Sequence, residues 1–349
     1  MTILHITETA EGASGVATFV RELDAGLQAQ GVESRVWKSL EPGVDICEPE
    51  GGWRPDVVHI HGLWLPLFHK TAAWAKANGI PVVWSTHGMT APWSMGHKRL
   101  KKLLAWALYQ RRDLRGAAAV HCTTDLEVEW NKSLGFSNTF IAPLGTEIKP
   151  LSTQNTLNND KRVLLFVGRI YPVKGLVNLI KAWHKIFSVS SVCSVVKNWK
   201  LRIVGPDQAG HQAELDKLVA ELGLGSSVEF PGPKFGAELE AEYESCDCLV
   251  LPSFTENFGA TVVDAMAHGR PCIASTFTPW RELQERGCGW WVSNEPKKLA
   301  DVICDMIGAG DDRRREMGAK GRRLVEEKYT WAAVAETMAA KYKEICDGR

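Results

Sequence analysis

The sequence has no surplus of either charge. Its 41 lysines and arginines are matched by 41 aspartates and glutamates, so the formal net charge over 349 residues is zero. Such a chain has no global field to gather polyanions, and a nucleic-acid partner is not expected. Cysteine pairs are missing too: the nine cysteines are odd in number and scattered, with no C-x-x-C motif. That usage fits a reduced cytosol rather than a disulfide framework, and Cys246 and Cys248 read as small buried residues. No apolar run approaches the roughly 20 residues that span a bilayer. Met1 leads directly into TILHIT without a basic n-region or a long apolar segment, so no secretory signal is expected and the chain is placed in the cytoplasm. Convincing short repeats are absent. Fourteen tryptophans are a high count, which suits stacking surfaces and ordinary cores equally.

What the chain does have is a rhythm of short apolar strands and amphipathic helices. Strands are expected at Ile3–Ile6, Ser34–Trp37, Val57–Ile60, Val82–Trp84, Ala117–His121 and Thr139–Ile141. Helices are expected from the GASG turn (Gly12 to Gly15) through Leu27, and over Ala72–Ala77. Periodicity is lost in the polar stretch Lys149–Asp160. The rhythm restarts with strands Arg162–Val167, Lys200–Val204, Val228–Phe230, Cys248–Leu251 and Pro271–Ala274; Ser188–Asn198 reads as a local insertion. From Pro296 onward the pattern is helical, ending in Trp331–Ile345. The expected organisation is a first domain over 1–150, a linker over 151–160, a second domain over 161–328 and a final helix over 329–349. Alternating strands and helices imply doubly wound parallel sheets. Ligands of such sheets bind beyond the carboxyl ends of the strands, so two facing edges would enclose a cleft.

The chemically densest stretch is Phe254–Pro271, FTENFGATVVDAMAHGRP, in which seven residues separate Glu256 from Asp264. A helix beginning near Gly259 offers one ligand a carboxylate, free backbone N–H groups and a second carboxylate. Those N–H groups favour anions and hydroxyl oxygens, and carboxylates favour sugar hydroxyls. Carboxylates repel phosphate, so a ligand with both parts needs positive charge nearby. FVGRIYPVKGL supplies it, with Arg169 just past a strand and Lys174 at the start of the next helix. The pair reads as a diphosphate clamp or, taken alone, as two solvated charges in a turn.

The motifs GRIYPVKG and PSFTENFGATVVDAMAHGRP resemble those of the family-4 retaining glycosyltransferases. These enzymes have the GT-B fold, two Rossmann-like doubly wound domains facing across a cleft. The resemblance covers nearly the whole chain, including the STHG loop and a C-terminal helix returning to the first domain. It is nearest to bacterial enzymes of lipopolysaccharide and surface-polysaccharide synthesis, through DVVHIHGLWLP, THGMTAPWSMGHK and TPWREL followed by GCGWWV. It implies that Gly168, Arg169 and Lys174 hold the diphosphate of a UDP- or GDP-sugar. Glu256, with the backbone N–H groups of Asn257, Phe258 and Gly259, would bind the donor sugar. The second acidic position would bind the ribose; the family usually has glutamate there and this chain has Asp264, one methylene shorter, so contact needs a closer approach or a water. Lys234 and Phe235 fall where the family packs the nucleotide base. Gly15, at a helix start, would let phosphates and sugar approach without a side chain in the way. His87 falls where the family has a residue near the reacting sugar. The implied reaction moves a hexosyl or N-acetylhexosaminyl group to a saccharide or lipid-linked hydroxyl with retention of configuration. It proceeds by same-face attack without metal or cofactor, the departing phosphate taking the acceptor proton.

Two further features stay open. His59 and His61 lie on one strand face and invite a metal reading, but the sequence suggests no third ligand, and none is assigned. Met95–Gly116 combines basic residues from Lys98 to Arg112 with leucines and Trp106. It is either a peripheral helix for an anionic surface on the inner face of the cytoplasmic membrane, or a domain helix with a solvated basic face. The competing functions are a sugar-nucleotide epimerase of the same fold and a non-catalytic carbohydrate- or nucleotide-binding module. An NAD-dependent oxidoreductase is a distant third, because GASG lacks the G-x-G-x-x-G spacing.

Overall fold

The structure, a computed structural model, describes residues 1–8, 15–38, 53–96, 99–150, 162–187 and 197–348. Gly12 to Ser14, Lys98, the expected linker 151–160 and most of the 188–198 insertion lie outside these residues. The chain divides into two compact units, Met1–Gly145 with Tyr329–Arg349, and Thr146–Lys328.

The first unit contains β1 (Thr2–Thr7), β2 (Glu33–Lys38), β3 (Val57–His61), β4 (Val82–Ser85), β5 (Ala119–Cys122) and β6 (Thr139–Ile141). They form one sheet in the order β2-β1-β3-β4-β5-β6, all parallel. The second unit contains β7 (Arg162–Val167), β8 (Trp199–Val204), β9 (Val228–Gly232), β10 (Cys248–Leu251), β11 (Cys272–Ser275) and β12 (Gly289–Val292). Their order is β12-β11-β10-β7-β8-β9, again all parallel. These are the doubly wound sheets the alternation implied.

Parallel strands need crossovers that cover both faces, which is why β4 (VVWS) and β10 (CLVL) are buried end to end. In the first unit the helix Gly15–Ala29 turns Phe19, Val20, Leu23 and Leu27 inward at helical spacing. The helix Trp331–Asp347 lies against it and adds Val334, Ala335, Met338 and Tyr342 to the same core as Ile3. Leu4, Ile6, Phe68, Trp84 and Val120 form the core on the other sheet face. The second unit buries Leu179, Ile180, Trp183 and Ile186 of the helix Leu176–Phe187, which lies against the helix Pro296–Gly308.

Two elements depart from the sequence reading. GWWV forms β12, an edge strand on β11 whose tryptophans are only half-buried, and so shows little strand periodicity. Lys174 lies in a 3₁₀ turn, Pro172–Lys174, rather than at the start of the following helix, which begins at Leu176.

Candidate functional site

In the second unit the chain order reverses between β7 and β10, which pair directly. The loops leaving their carboxyl ends are therefore neighbours, the place where such sheets take ligands. The approach of these loops is set by glycines. Gly168 sits at φ 154°, and a Cβ on Gly205, after β8, would lie 1.8 Å from the Gly168 carbonyl oxygen. Gly175 sits at φ 71°, and a Cβ there would lie 2.2 Å from the Pro252 carbonyl oxygen. The Phe254 N–H then donates to the Val173 carbonyl at 2.8 Å. With no side chain between them, the 3₁₀ turn lies directly on the loop after β10.

That contact delivers Lys174 to Glu256. The two side chains form an ion pair, each only 14% exposed, and Ser253 Oγ donates to Glu256 Oε1 at 2.8 Å. Gly175→Ala is expected to cost roughly 2–4 kcal/mol, because the substitution imposes left-handed strain and a backbone clash together. Urea unfolding checks it, and a loss under about 1 kcal/mol would mean the turn has room the geometry denies.

Gly259, in the left-handed region at φ 83°, caps the helix Ala260–Ala267 without a side chain. A Cβ there would meet Leu251 Cδ2 at 2.8 Å and Trp280 Nε1 at 3.0 Å. Phe258 is buried edge-on against Trp280, with ring centroids 5.2 Å apart, so its side chain anchors the loop and Asn257 and Gly259 flank that anchor. Further into the helix, Asp264 Oδ1 accepts from Thr146 Oγ1 at 2.8 Å. Burial pushes this carboxyl up to about 6; Thr146 and His268 oppose the shift, Glu240 adds to it and Lys149 opposes it.

Arg169 belongs to the same edge but stands exposed, with Nη1 donating to Gln208 Oε1 at 2.9 Å. Lys234 pairs with Glu238 at 3.2 Å, and Phe235 beside it is 65% exposed. The structure thus brings Lys174 and Glu256 into contact, keeps Asp264 one helix turn and more beyond them, pairs Arg169 with Gln208 and Lys234 with Glu238, and leaves Phe235 exposed. Gln208, Ser253 and Thr146 were not singled out from the sequence, because each is recognised only by the long-range partner it meets.

In the first unit His87 follows β4 in a left-handed conformation, φ 47°. Glu127 holds its loop. This buried carboxyl accepts from Thr86 Oγ1 at 2.6 Å, the Gly88 N–H at 2.5 Å, the Thr123 N–H at 2.7 Å and Thr123 Oγ1 at 2.9 Å. The sequence carried a signal for it: Thr124-x-x-Glu127 is a capping box, and Thr124 does cap its helix by accepting from the Glu127 N–H at 3.2 Å. The Glu127 side chain turns instead to the His87 loop.

His87 joins a cluster with His5, His59, His61 and His121. Burial pushes His5 and His87 down to about 3, and His59 and His61 well below the ordinary histidine range, so the rings are neutral at working pH. His5 supplies a third candidate that the sequence did not suggest: atoms of His5, His59 and His61 that could bind a metal ion lie within 4.8 Å of one another. It escaped notice because only the register of β1 on β3 sets His5 opposite His59. Both His59 nitrogens are engaged, Nδ1 with Tyr342 Oη and Nε2 with Ser85 Oγ, each at 2.6 Å; a cation would have to displace those bonds. Gly15 begins its helix with nothing among the described residues within 4 Å of the place a Cβ would take, so none of them requires glycine there.

A doubly wound pair of sheets with this loop junction defines a class. The chain belongs to the glycosyl transferases group 1: the pattern of that family matches residues 147–324, just over half of the chain, and a glycosyl transferase 4-like domain matches residues 46–145. It is similar to the lipopolysaccharide 1,2-N-acetylglucosaminetransferase of Salmonella typhimurium, with 29% identity over 204 residues, 56% of this chain and 52% of that protein. The chain spans about half the length of the curated relatives it matches. Anabaena HepE in complex with UDP-glucose shares the fold over 99% of this chain and 100% of its own, with TM-score 0.73 and 17% identity. WaaG, a glycosyltransferase involved in lipopolysaccharide biosynthesis, does so over 96% and 98%, with TM-score 0.66 and 15% identity. The architecture is GT-B.

Proposed function

We propose that this protein is a retaining glycosyltransferase. It would move a hexosyl or N-acetylhexosaminyl group from a UDP- or GDP-sugar to a saccharide or lipid-linked hydroxyl in bacterial surface-polysaccharide or lipopolysaccharide synthesis. The observation that carries the reading is the Lys174–Glu256 junction beside the start of the helix Ala260–Ala267, which no side chain caps. A diphosphate needs a cation and N–H groups, a sugar needs a carboxylate, and here they meet at one edge. As the glycosidic bond breaks, negative charge grows on the diphosphate, where Arg169, Lys174 and the helix start stabilise it. Glu256 orients the sugar ring. The leaving phosphate takes the acceptor proton on the same face, so no protein base and no metal is assigned. His87, neutral, shapes the sugar site.

A thermal-shift panel of UDP- and GDP-sugars tests donor binding, with a rise of several degrees expected for the true donor, because ligand that binds only the native state stabilises it. Product analysis then tests the reaction: the donor alone should persist, and with acceptor the anomeric configuration should be kept. Conversion of the donor alone into an epimer would replace the transferase by an epimerase. Binding without turnover for every acceptor would leave a binding module.

The location proposed is the cytoplasm, with peripheral attachment to the inner face of the membrane. Among the described residues no helix is long and apolar enough to cross a bilayer. Leu100, Leu104 and Leu108, spaced one turn apart, are 84%, 63% and 64% exposed, beside exposed Arg99, Lys101, Arg111 and Arg112. Each such leucine gains about 1.5–3 kcal/mol on leaving water, and the basic rim selects an anionic surface. Co-sedimentation with liposomes is expected to rise several-fold when anionic lipid is included. Equal partitioning with and without it would remove the membrane.

A further inference from the structure

We propose that His61, braced by His5, is a positioning residue that holds the His87 ring and fixes it as a hydrogen-bond donor through Nδ1. The inference rests on the proposed function only for the place of His87 beside the donor sugar.

The argument is a proton count. Four rings of the cluster, His5, His59, His61 and His121, are at most 1% exposed. A neutral imidazole has one N–H and one lone pair. His121 Nε2 meets the Ala142 carbonyl at 2.8 Å and must donate to it, so its Nδ1 accepts from Ser85 Oγ at 2.6 Å. The Ser85 oxygen then accepts from His59 Nε2, and His59 Nδ1 accepts from Tyr342 Oη. Every group in this chain is satisfied in one direction only. The His59 ring, fixed in this way, lies 3.9 Å from the His61 ring between centroids and forms one wall beside it.

The second chain runs from His5 Nδ1 to His61 Nε2 at 2.9 Å and from His61 Nδ1 to His87 Nε2 at 3.2 Å. It admits two directions. If His87 donates inward, the chain ends with a proton on His5 Nε2, a buried atom without a partner. If His5 donates outward, the same atom is only an unused lone pair. Orphaned buried N–H groups are the rarer and costlier case, so the outward direction is favoured. It leaves the His87 proton on Nδ1, which takes no partner among the described residues. Two holds therefore act on one residue: Glu127 fixes the left-handed backbone and His61 the ring. Such an over-determined, strained residue at a sheet edge is what a fixed contact to substrate requires.

Long-range ¹H–¹⁵N spectra of histidine-labelled protein, with the His87 signal assigned by its loss in His87→Gln, read the tautomers without any activity. His87 is expected as the Nδ1–H form, and His59 and His121 as Nε2–H forms. A His87 proton on Nε2 would overturn the proposal. So would a stoichiometric divalent metal whose chelation changes these signals. The kinetic arm uses three variants. His61→Phe should lower kcat about 100-fold, the scale of a small misplacement at the reacting centre, with donor KM within about threefold. His61→Asn, whose amide N–H stands close to the ring Nδ1, should recover most of the loss, and His61→Gln should not. Equal losses in all three would also overturn it. Should His61→Phe fail to fold, the wild-type spectrum still decides. The expected tautomers in a protein without transferase activity would count against the proposed reaction and not against the brace.

Discussion

Replacing Glu256 by alanine is expected to lower sugar transfer by about 100- to 1000-fold while leaving UDP binding intact. Removal of one preorganised group at a transition state costs about 100- to 1000-fold, and Glu256 is assigned to the sugar rather than to the phosphates. Its loss has a second effect. Lys174 and Glu256 are each 14% exposed and share one ion pair, so the variant strands a mostly buried ammonium. Breaking such a pair typically costs about 3–5 kcal/mol in the empty protein. A diphosphate would repair this by supplying the missing anion, so UDP should stabilise Glu256→Ala more than wild type. Lys174→Ala should do the opposite in binding: weak UDP affinity, with KM raised and kcat lowered together. Melting curves with and without UDP, with initial rates at saturating donor, check both. If Glu256→Ala lost UDP affinity as fully as Lys174→Ala, both residues would belong to the phosphate clamp, and the sugar would need another carboxylate.

Asp264→Asn is expected to make the empty protein more stable at pH 8, by about 2–3 kcal/mol, while impairing use of the donor. Burial holds the Asp264 carboxyl at about 6, above the ordinary aspartate value of 3.8. The folded state therefore keeps a proton there that the unfolded state releases first. Between about pH 4 and pH 6 stability from this group falls as pH rises, and above about 7 the full penalty is present. Below about pH 3 both states are protonated and the advantage of asparagine should vanish; at about pH 4 most of it is already gone. Thr146, His268, Glu240, Lys149 and Tyr243 surround the group, so the charges near it are of both signs. Denaturant melts of both proteins at pH 4, 6 and 8 measure the difference. A constant gap across that range would place the cause in packing rather than in ionisation. A carboxylate that destabilises its own fold is consistent with a binding role, here the proposed ribose contact.

Much of this was readable because the signals are local. β7, β10 and the helix after Gly259 follow from apolar runs and a glycine at the cap, and the sheets follow from alternation. The family motifs likewise lie in single stretches around Lys174 and Glu256. What stayed hidden depends on register and on approach. His5 and His59 are neighbours only because β1 pairs with β3 in one alignment. Glu127 reaches the His87 loop from a helix some forty residues further along the chain. The ion pair needs Gly175 to lie on Pro252, a contact between two loops that no spacing within either one encodes. β12 was missed because an edge strand with half-buried tryptophans has no clean period of two.

The helix Trp331–Asp347 supplies Val334, Ala335, Met338 and Tyr342 to a core begun by Ile3 and Phe19, and Gly26 leaves just enough room for Ala335, a Cβ there falling 2.9 Å from it. During synthesis this has a consequence of order. Residues 146–328 leave the ribosome as a complete unit before the segment that closes the first core exists. The part of the helix Gly15–Ala29 that meets Val334, Ala335 and Met338 must wait uncovered through that interval, and His59 must wait for the Tyr342 hydroxyl. The core begun by Ile3 is thus completed after the second unit, and its unclosed face stays open to aggregation and proteolysis until the helix Trp331–Asp347 arrives.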